Sequence, residues 1–350
     1  MTDPMECAGP PQPAEATADA SALAGATRVE KDTTLTADVR CGRGPAFVVT
    51  ADNVVLDLGG YTVSGEGDAG ATGPAVVLQG VSGATVRNGT VQRFDAGVVI
   101  EGGSANVVEE LVIQDNIGSP EGEYGDGIVI NGSRDNTLRA NVVRRNGPFS
   151  GISVGRDAQG NQLVGNTVAD NNMLHLGDPN AGAQAMGIRV EGPAANGNRI
   201  IGNTVTGSGG DGIVVLSTCD DFDSEPPCAG TPPNEQNEIA ENTVSGNGTS
   251  GRGSGIRIFA MPVPIAPVEN TVRDNVADDN AFYGIAIDAG PLGSKGNSAL
   301  RNRAHGNREF DGSDGRLMPP CGPNTWEGND FGTVNQPCVS GRPEESSGRE

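Results

Sequence analysis

Few side chains in this sequence of 350 residues could transfer a proton near neutral pH, because it contains only two histidines and three tyrosines. His175 lies beside the segment Gly-Asp-Pro, and Tyr124 and Tyr283 each lie just before a short apolar segment that begins with glycine. A base, a tyrosine acid and an arginine that neutralises a carboxylate can together carry out β-elimination or epimerisation at C5 of a uronic acid. We therefore take His175, Tyr124 and Tyr283 as catalytic candidates.

Carboxyl groups offer a second chemistry, since glycoside hydrolysis needs two of them about 5 to 9.5 Å apart. Asp126 and Asp211 both precede a Gly-Ile pair, but three turns of the repeat described below separate them by about 14 Å, which is too far. The repeat spacing does not exclude such a separation between Asp211 and either Asp178 or Glu191, so Asp178 and Asp211 join the catalytic candidates. The alternative is that the aspartates before Gly-Ile only cap turns.

An acidic segment between two cysteines, CDDFDSEPPC at 219–228, could hold a metal ion. Its hard oxygen ligands suit Ca²⁺, although the spacing lacks the glycine of an EF-hand loop. The alternative is a solvated acidic loop. The candidate metal ligands are Asp220, Asp221, Asp223 and Glu225. No other cofactor is expected.

These candidates are spread over a repeated pattern. A Gly-apolar-x-apolar unit occurs seven times, as GVVI at 97, GIVI at 127, GISV at 151, GIRV at 187, GIVV at 212, GIRI at 255 and GIAI at 284. Five of these units are followed by a pattern such as NQLVGNTVADN, in which asparagines separate short alternating segments. Each repeat therefore holds three short strands in about 22 to 25 residues, which predicts one coil of a parallel β-helix.

Asparagines at one corner of the coils predict a stacked ladder. Asparagine tolerates the left-handed backbone conformation, and its amide can bond to the equivalent side chain in the next coil. The most regular column contains Asn141, Asn166, Asn203, Asn242, Asn275 and Asn302. We expect an all-β, single-domain solenoid of about nine to ten three-strand coils, nine of them complete.

Alternation along each Gly-apolar-x-apolar strand fixes which side chains face outward. Arg189 and Arg257 then lie two coils and about 10 Å apart on one face, a spacing that suits successive carboxylates of an anionic sugar chain. The alternative is that each arginine only pairs with a nearby acidic side chain. The candidate substrate-binding residues are Arg189, Arg257, Glu191, Asn131 and Asp288.

Composition excludes several classes of function. The formal net charge of -22 makes nucleic acid a poor partner, and no apolar run is long enough to span a membrane. Six cysteines without a CxxC spacing predict three disulfides, with Cys219–Cys228 and Cys321–Cys338 closing short loops and Cys7–Cys41 stapling the N-terminal end. Six free thiols are the alternative. We expect an extracellular or cell-envelope protein, with no signal peptide in the sequence as given.

Open ends of a β-helix are unpaired strand edges, so both ends need caps. We assign residues 1–32 to an N-terminal extension and cap, with a short helix over 14–26, and residues 33–338 to the β-helix with its C-terminal disulfide cap. Residues 339–350 form a disordered tail. We expect a monomer.

The repeats, with the opening coils VVLDLGGYTVSG and ATVRNGTVQRF, resemble the right-handed parallel β-helix proteins of the pectate lyase superfamily over about residues 33–335. The resemblance implies that polysaccharide binds along the sheet of Gly-apolar-x-apolar strands, between long loops. The fuller motif DPH of alginate epimerases is DPN at 178–180 here, which departs from that family.

Five segments longer than a minimal turn flank this sheet, which predicts one working face. They are 117–126, 172–186, 216–236, 259–269 and 288–296. We therefore predict a polysaccharide-binding β-helix with lyase or epimerase activity on a uronic-acid-containing polysaccharide. The alternatives are a non-catalytic carbohydrate-binding or cell-envelope surface protein, and a β-helix enzyme that modifies a small molecule in a pocket lined by Phe259, Met261 and Met186.

Overall fold

The computed structural model describes residues 5–6, 26–67, 72–119, 124–171, 185–219, 228, 230–260, 265–288, 295–315 and 321–340. Almost every regular element in this part of the chain is a short strand, and every strand pair is parallel. Consecutive coils place equivalent residues side by side, which makes the fold a parallel β-helix.

One sheet, which we call sheet 1, contains the Gly-apolar-x-apolar segments. Its eleven strands stack in chain order. They are Thr27–Val29, Phe47–Val49, Pro74–Gln79, Ala96–Glu101, Ile128–Asn131, Ile152–Val154, Ile188–Glu191, Ile213–Ser217, Ile256–Ala260, Ile285–Ile287 and Gly312–Asp314.

The remaining walls of the coils form a second sheet of eighteen strands, sheet 2, to which six coils contribute two strands each and the last three coils contribute one. Its strands are Met5–Glu6, Thr33–Thr34, Val39–Arg40, Val55–Asp57, Thr62–Ser64, Thr85–Gln92, Val107–Gln114, Thr137–Arg139, Val142–Arg144, Gln162–Val164, Thr167–Ala169, Arg199–Ile201, Thr204–Thr206, Glu238–Ala240, Thr243–Ser245, Thr271–Arg273, Ser298–Leu300 and Thr325–Glu327. Arg303–Ala304 pairs with Asp330–Phe331, and Pro337–Ser340 forms one 3-10 turn.

The core between the sheets is a stack of medium-sized aliphatic side chains. The isoleucines that begin strands of sheet 1, such as Ile152, Ile188 and Ile213, are fully buried and lie in register. Because coils are about 4.8 Å apart, identical side chains in register fill the interior without voids. This explains how a chain with 3% aromatic residues builds a core.

The asparagine ladder is confirmed and extends one coil further than the sequence pattern indicated. Nδ2 of Asn166 donates to Oδ1 of Asn203 at 3.0 Å, and the column continues to Asn329 through Asn302. The expectation that asparagine itself is left-handed is wrong, because the residue before it has the positive φ, as at Ala140 and Glu241. The buried amide is instead used to satisfy backbone groups of adjacent coils.

The number of coils differs from the sequence estimate. Sheet 1 stacks eleven strands in the described residues, whereas the pattern indicated nine complete coils and a fragment. The strands Thr27–Val29 and Gly312–Asp314 carry no Gly-apolar-x-apolar signature, so the repeat pattern missed them. The first of them also lies before residue 33, where we had placed the start of the β-helix.

Two of the three predicted disulfides are present, Cys219–Cys228 and Cys321–Cys338. Cys41 is also disulfide-bonded, but its predicted partner Cys7 lies outside the described residues. At the C-terminal end, Trp326 is buried and donates from Nε1 to Oδ2 of Asp314 at 2.9 Å. The proposed capping helix over 14–26 and most of the tail also lie outside the described residues.

Candidate functional site

The outer surface of sheet 1 carries both predicted arginines at the same position of the strand. Arg189 pairs with Val214, and Val214 pairs with Arg257, so the two arginines are two register steps apart. At the spacing of a sheet this corresponds to about 10 Å, as the sequence pattern predicts. Each arginine lies at the centre of a cluster of polar and charged side chains.

Arg257 organises the first of these, the downstream cluster, which contains Asp211, Arg257, Phe259, Tyr283 and Asp288. Nε of Arg257 lies 2.6 Å from Oδ2 of Asp288, and Nη1 lies 3.7 Å from Oδ2 of Asp211. The guanidinium also stacks over the Phe259 ring, with Cζ 3.9 Å from the ring centre. Two carboxylates and an aromatic ring therefore hold the arginine in one orientation.

Strand register explains why these side chains meet. Asp211 comes directly before the glycine of its strand, Arg257 lies in the next coil, and Asp288 follows the strand of the coil after that. The backbone N–H of Asp288 donates to the carbonyl of Ile258 at 2.8 Å, which fixes Asp288 beside the strand of Arg257. The cluster thus depends on three coils that the chain builds one after another.

Asp211 is nearly buried, with 6% of its surface exposed. Its Oδ1 accepts a bond from the backbone N–H of Ser254 at 2.5 Å. Burial raises the pKa of Asp211, and the charge of Arg257 partly offsets that rise. Asp211 therefore keeps a proton to higher pH than an exposed aspartate does, which suits a proton donor.

The two carboxyl groups of the downstream cluster contact the same guanidinium, which sets an upper limit on their separation. Nε and Nη1 of one guanidinium are about 2.3 Å apart, so the contacts above place the Oδ2 atoms of Asp211 and Asp288 at most about 9 Å apart. Glycosidases place their two carboxyl groups about 5 to 9.5 Å apart. The sequence suggested Asp211 with Asp178 or Glu191 as the pair, whereas the structure brings Asp211 toward Asp288.

Tyr283 lies at the edge of the same cluster. Partial burial and the nearby charge of Asp288 raise the pKa of Tyr283, and Arg257 opposes this rise. Its ring is 4.0 Å from that of Phe282 and stacks on that of Phe310 at 6.5 Å. The phenol therefore stays protonated at neutral pH, so it can give up a proton but does not act as a base in this state.

Arg189 organises the second, upstream cluster, which contains Asp126, Ser153, Arg189 and Glu191. Nη1 of Arg189 lies 2.9 Å from Oε2 of Glu191, and Nη2 donates to Oγ of Ser153 at 3.4 Å. Nε of Arg189 is buried and makes no hydrogen bond within the described part of the chain. Among the residues that the structure describes, one carboxylate rather than two pairs with this arginine.

Asp126 occupies the same strand position as Asp211, three coils earlier. Only 3% of its surface is exposed, and its Oδ1 accepts the backbone N–H of Ser150 at 2.7 Å. Burial raises the pKa of Asp126 to about 6, even though the charge of Arg189 lowers it. Both Asp-Gly-Ile aspartates thus hold a backbone N–H of the next coil, as the turn-cap interpretation requires.

The other predicted site residues are spread along the same face. Tyr124 packs against Val129 at the upstream end, five register steps from the coil of Tyr283, or about 24 Å. The two tyrosines therefore cannot serve one active site. Asn131 donates from Nδ2 to Oε1 of Glu101 at 3.2 Å and lies in the coil of Asp126.

Several predicted residues lie outside the described residues: His175, Asp178, Asp220, Asp221, Asp223 and Glu225. Their roles stay predictions. Within the part of the chain that the structure does describe, no group of three or more His, Cys, Asp or Glu side chains could hold a metal ion. In those same residues no helix is long and apolar enough to cross a membrane.

Two residues of this face make contacts that the sequence pattern did not predict. Phe259 was considered only as the wall of a small-molecule pocket, but its ring supports Arg257. Ser254 was overlooked, although it comes directly before a repeat glycine one coil after Asp211, and that position marks the backbone N–H that the aspartate binds. Aligning the repeats by strand position, rather than by spacing along the chain, would have identified both.

Comparisons with known proteins agree with this architecture. Residues 54–226 match the family described as a right handed beta helix region, and residues 160–316 match a family described as a protein of unknown function, DUF1565. No curated protein matches the sequence.

Solved structures with the same fold include the periplasmic alginate epimerase AlgG (TM-score 0.56, 13% identity, covering 83% of this chain and 64% of that one). Others are pectate lyase Pel9A (TM-score 0.52, 14% identity, 75% and 62%) and a mutant tailspike protein of E. coli bacteriophage HK620 in complex with a pentasaccharide (TM-score 0.61, 11% identity, 86% and 55%). The chain spans less than two thirds of the length of each. This chain is a right-handed parallel β-helix protein, with the fold of pectate lyases, alginate epimerases and tailspikes.

Proposed function

We propose that this protein binds an extended carbohydrate along the outer surface of sheet 1 and hydrolyses a glycosidic bond at the downstream cluster. The observation that carries the proposal is the position of Arg257 between two carboxylates, of which Asp211 is buried and Asp288 is tightly ion-paired. The presence of a pentasaccharide on a tailspike of the same fold supports carbohydrate as the ligand.

The two carboxyl groups differ in the way that hydrolysis requires. Burial raises the pKa of Asp211 above that of an exposed aspartate, and in this reaction Asp211 donates a proton to the leaving glycosidic oxygen as the bond from that oxygen to the anomeric carbon breaks. Asp288, which is held by Arg257, takes a proton from the water whose oxygen bonds to the anomeric carbon. The proton moves from water to Asp288 and from Asp211 to the leaving group, so the step balances.

Elimination or epimerisation of a uronic acid is the second candidate, and the position of Tyr283 beside Arg257 and Asp288 favours it. In that reaction Tyr283 protonates the leaving oxygen or the opposite face of C5, and Arg257 neutralises the uronate carboxylate. The predicted base, His175, lies outside the described residues. We rank this candidate second because Arg257 already has two carboxylate partners.

A comparison of products separates the two reactions. The whole protein is incubated with a panel of neutral and uronate polysaccharides, with Ca²⁺ or with a chelator, while reducing ends and absorbance near 235 nm are followed. We expect new reducing ends without a change at 235 nm, and Asp211→Asn should abolish them. Asp126→Asn is the matched control, since it makes the same change in the upstream cluster.

A rise at 235 nm that His175→Ala or Tyr283→Phe removes would replace hydrolysis by elimination. Binding without any product would leave a non-catalytic carbohydrate-binding protein. The small-molecule alternative requires an apolar pocket around Phe259, but one face of that ring is covered by Arg257.

We also propose an extracellular or cell-envelope location. Two disulfides are formed in the described residues, and Cys41 belongs to a further one. Disulfides persist in oxidising compartments. Cell fractionation of the native host locates the protein, and thiol labelling measures whether its cysteines are oxidised. Fully reduced cysteines in vivo would contradict the proposed location.

A further inference from the structure

We infer that the glycan recognised by sheet 1 carries no carboxylate or sulfate groups. This inference rests on the proposed function, because it names the substrate class of the same site. It replaces the uronate polymer that the spacing of Arg189 and Arg257 suggested. The argument comes from the charges on this face and from the partners that those charges already have.

Three arginines face outward from sheet 1, Arg28, Arg189 and Arg257, and each lies beside an acidic side chain, with Arg28 3.9 Å from Glu30 at the exposed N-terminal end. Arg257 lies between Asp288 and Asp211, and Arg189 pairs with Glu191. An incoming carboxylate would have to displace one of these partners, which are fixed to the same rigid sheet. Displacement leaves a partly buried acidic side chain without its cation. The free energy lost in this way exceeds the free energy gained from a new exposed ion pair.

The sequence between the strands of sheet 1 is acidic rather than basic. Together, the segments 117–126, 172–186, 216–236, 259–269 and 288–296, which flank sheet 1 along the chain, hold eleven acidic residues and one basic residue, Lys295. The formal net charge of the chain is -22. A field of one sign repels ligands of the same sign and lowers their rate of association.

What the face does offer suits hydroxyl groups. Carboxylates of Glu191 and Asp288 have lone pairs beyond those used by their arginines, and a sugar hydroxyl can donate to them. Nη1 and Nη2 of Arg189 each carry two N–H groups, of which Glu191 and Ser153 use one each, so a sugar oxygen can accept from the others. Because each arginine and its carboxylate orient one another, donors and acceptors are fixed in advance of binding.

The test is affinity electrophoresis of the whole protein through gels that contain one polysaccharide each. Neutral dextran, galactan and mixed-linkage glucan are compared with alginate, polygalacturonate and a sulfated galactan, at low and high salt. We expect retardation only by one or more neutral polymers, and little dependence on salt because no charge pair forms. Asp288→Asn frees Arg257 and should raise affinity for uronate polymers at least tenfold.

Glu327→Gln is the matched control, because it removes one negative charge from an exposed position on sheet 2. It should leave the pattern unchanged. Retardation of the wild type by uronate or sulfated polymers, weakened by salt, would overturn the inference. If a uronate polymer is also hydrolysed, the inference fails while the proposed function stands. If no polymer of any class is retarded or cleaved, both fail.

Discussion

The upstream and downstream clusters occupy equivalent positions on sheet 1, yet they differ in how their arginines are held. Arg257 contacts two carboxylates and lies on the Phe259 ring, whereas among the described residues Arg189 forms an ion pair only with Glu191 and its Nε has no partner. Both clusters include a buried aspartate that accepts a backbone N–H from the next coil. The two clusters therefore use equivalent strand positions, and the residues that differ between them give them different chemistry.

The difference teaches that a solenoid can build two sites from one set of strand positions. In the downstream cluster the aspartate contacts the arginine of the next coil directly, at 3.7 Å. In the upstream cluster Asp126 and Arg189 are two coils apart, with Ser153 bonded to the arginine from the coil between them. We therefore assign reaction to the downstream cluster and binding to the upstream cluster. The predictions below test that assignment.

The largest expected effect is on catalysis. Asp211→Asn removes the proposed proton donor, so the rate of glycosidic cleavage should fall by about 10²- to 10⁴-fold. Asp126→Asn makes the same change three coils away and should alter the rate by less than about threefold. Initial rates of reducing-end release check both. An equal loss of rate in the two variants would contradict the assignment of reaction to the downstream cluster and binding to the upstream cluster.

The next effect is on the pH dependence of stability. The pKa of Asp126 is about 6 when folded and close to its ordinary value of 3.8 when unfolded, so the native state holds the proton more tightly. Stability from this group is present below pH 4 and is lost as pH rises to about 6. Asparagine cannot ionise, so Asp126→Asn does not lose this stability as pH rises. The free energy of unfolding of the variant at pH 7 should therefore exceed that of the wild type by up to about 3 kcal/mol.

Thermal unfolding followed by circular dichroism at pH 4 and pH 7 checks this expectation. At pH 4 the wild type and Asp126→Asn should unfold at nearly the same temperature. Asp211→Asn should shift in the same direction, because burial also raises the pKa of Asp211. A variant Asp126→Asn that is less stable than the wild type at pH 7 would contradict the burial argument.

The smallest expected effect comes from replacing the arginines. Lysine keeps the charge but cannot bond to two carboxylates in a plane or stack fully on an aromatic ring. Arg257→Lys should therefore lower kcat by about tenfold, with a small change in KM. Arg189→Lys should instead raise KM a few-fold at constant kcat. The opposite pattern in steady-state kinetics would exchange the roles of the two clusters.

Much of the fold could be predicted from the sequence because its determinants are local and repeated. The buried isoleucines of sheet 1 and the column from Asn141 to Asn302 were both predicted, and their register follows from the repeat. The end strands escaped because Thr27–Val29 and Gly312–Asp314 lack the repeated glycine-led pattern.

The candidate site was harder to predict because it depends on contacts between coils. The outward direction and spacing of Arg189 and Arg257 follow from strand alternation, and the structure places the candidates Asp211, Asp288 and Tyr283 near Arg257. Which carboxylate reaches which arginine depends on the path of the chain after each strand, and sequence spacing does not specify it. The pairing of Arg257 with Asp288 was therefore missed, although both residues were candidates.

The most direct test of the account is a crystal structure of the Asp211→Asn variant soaked with an oligosaccharide of the polymer that it binds. The account predicts a sugar chain lying along the outer surface of sheet 1, with one glycosidic oxygen within hydrogen-bond distance of residue 211 and a water beside Asp288. An oligosaccharide bound to sheet 2, or one on sheet 1 that bypasses the downstream cluster, would contradict it.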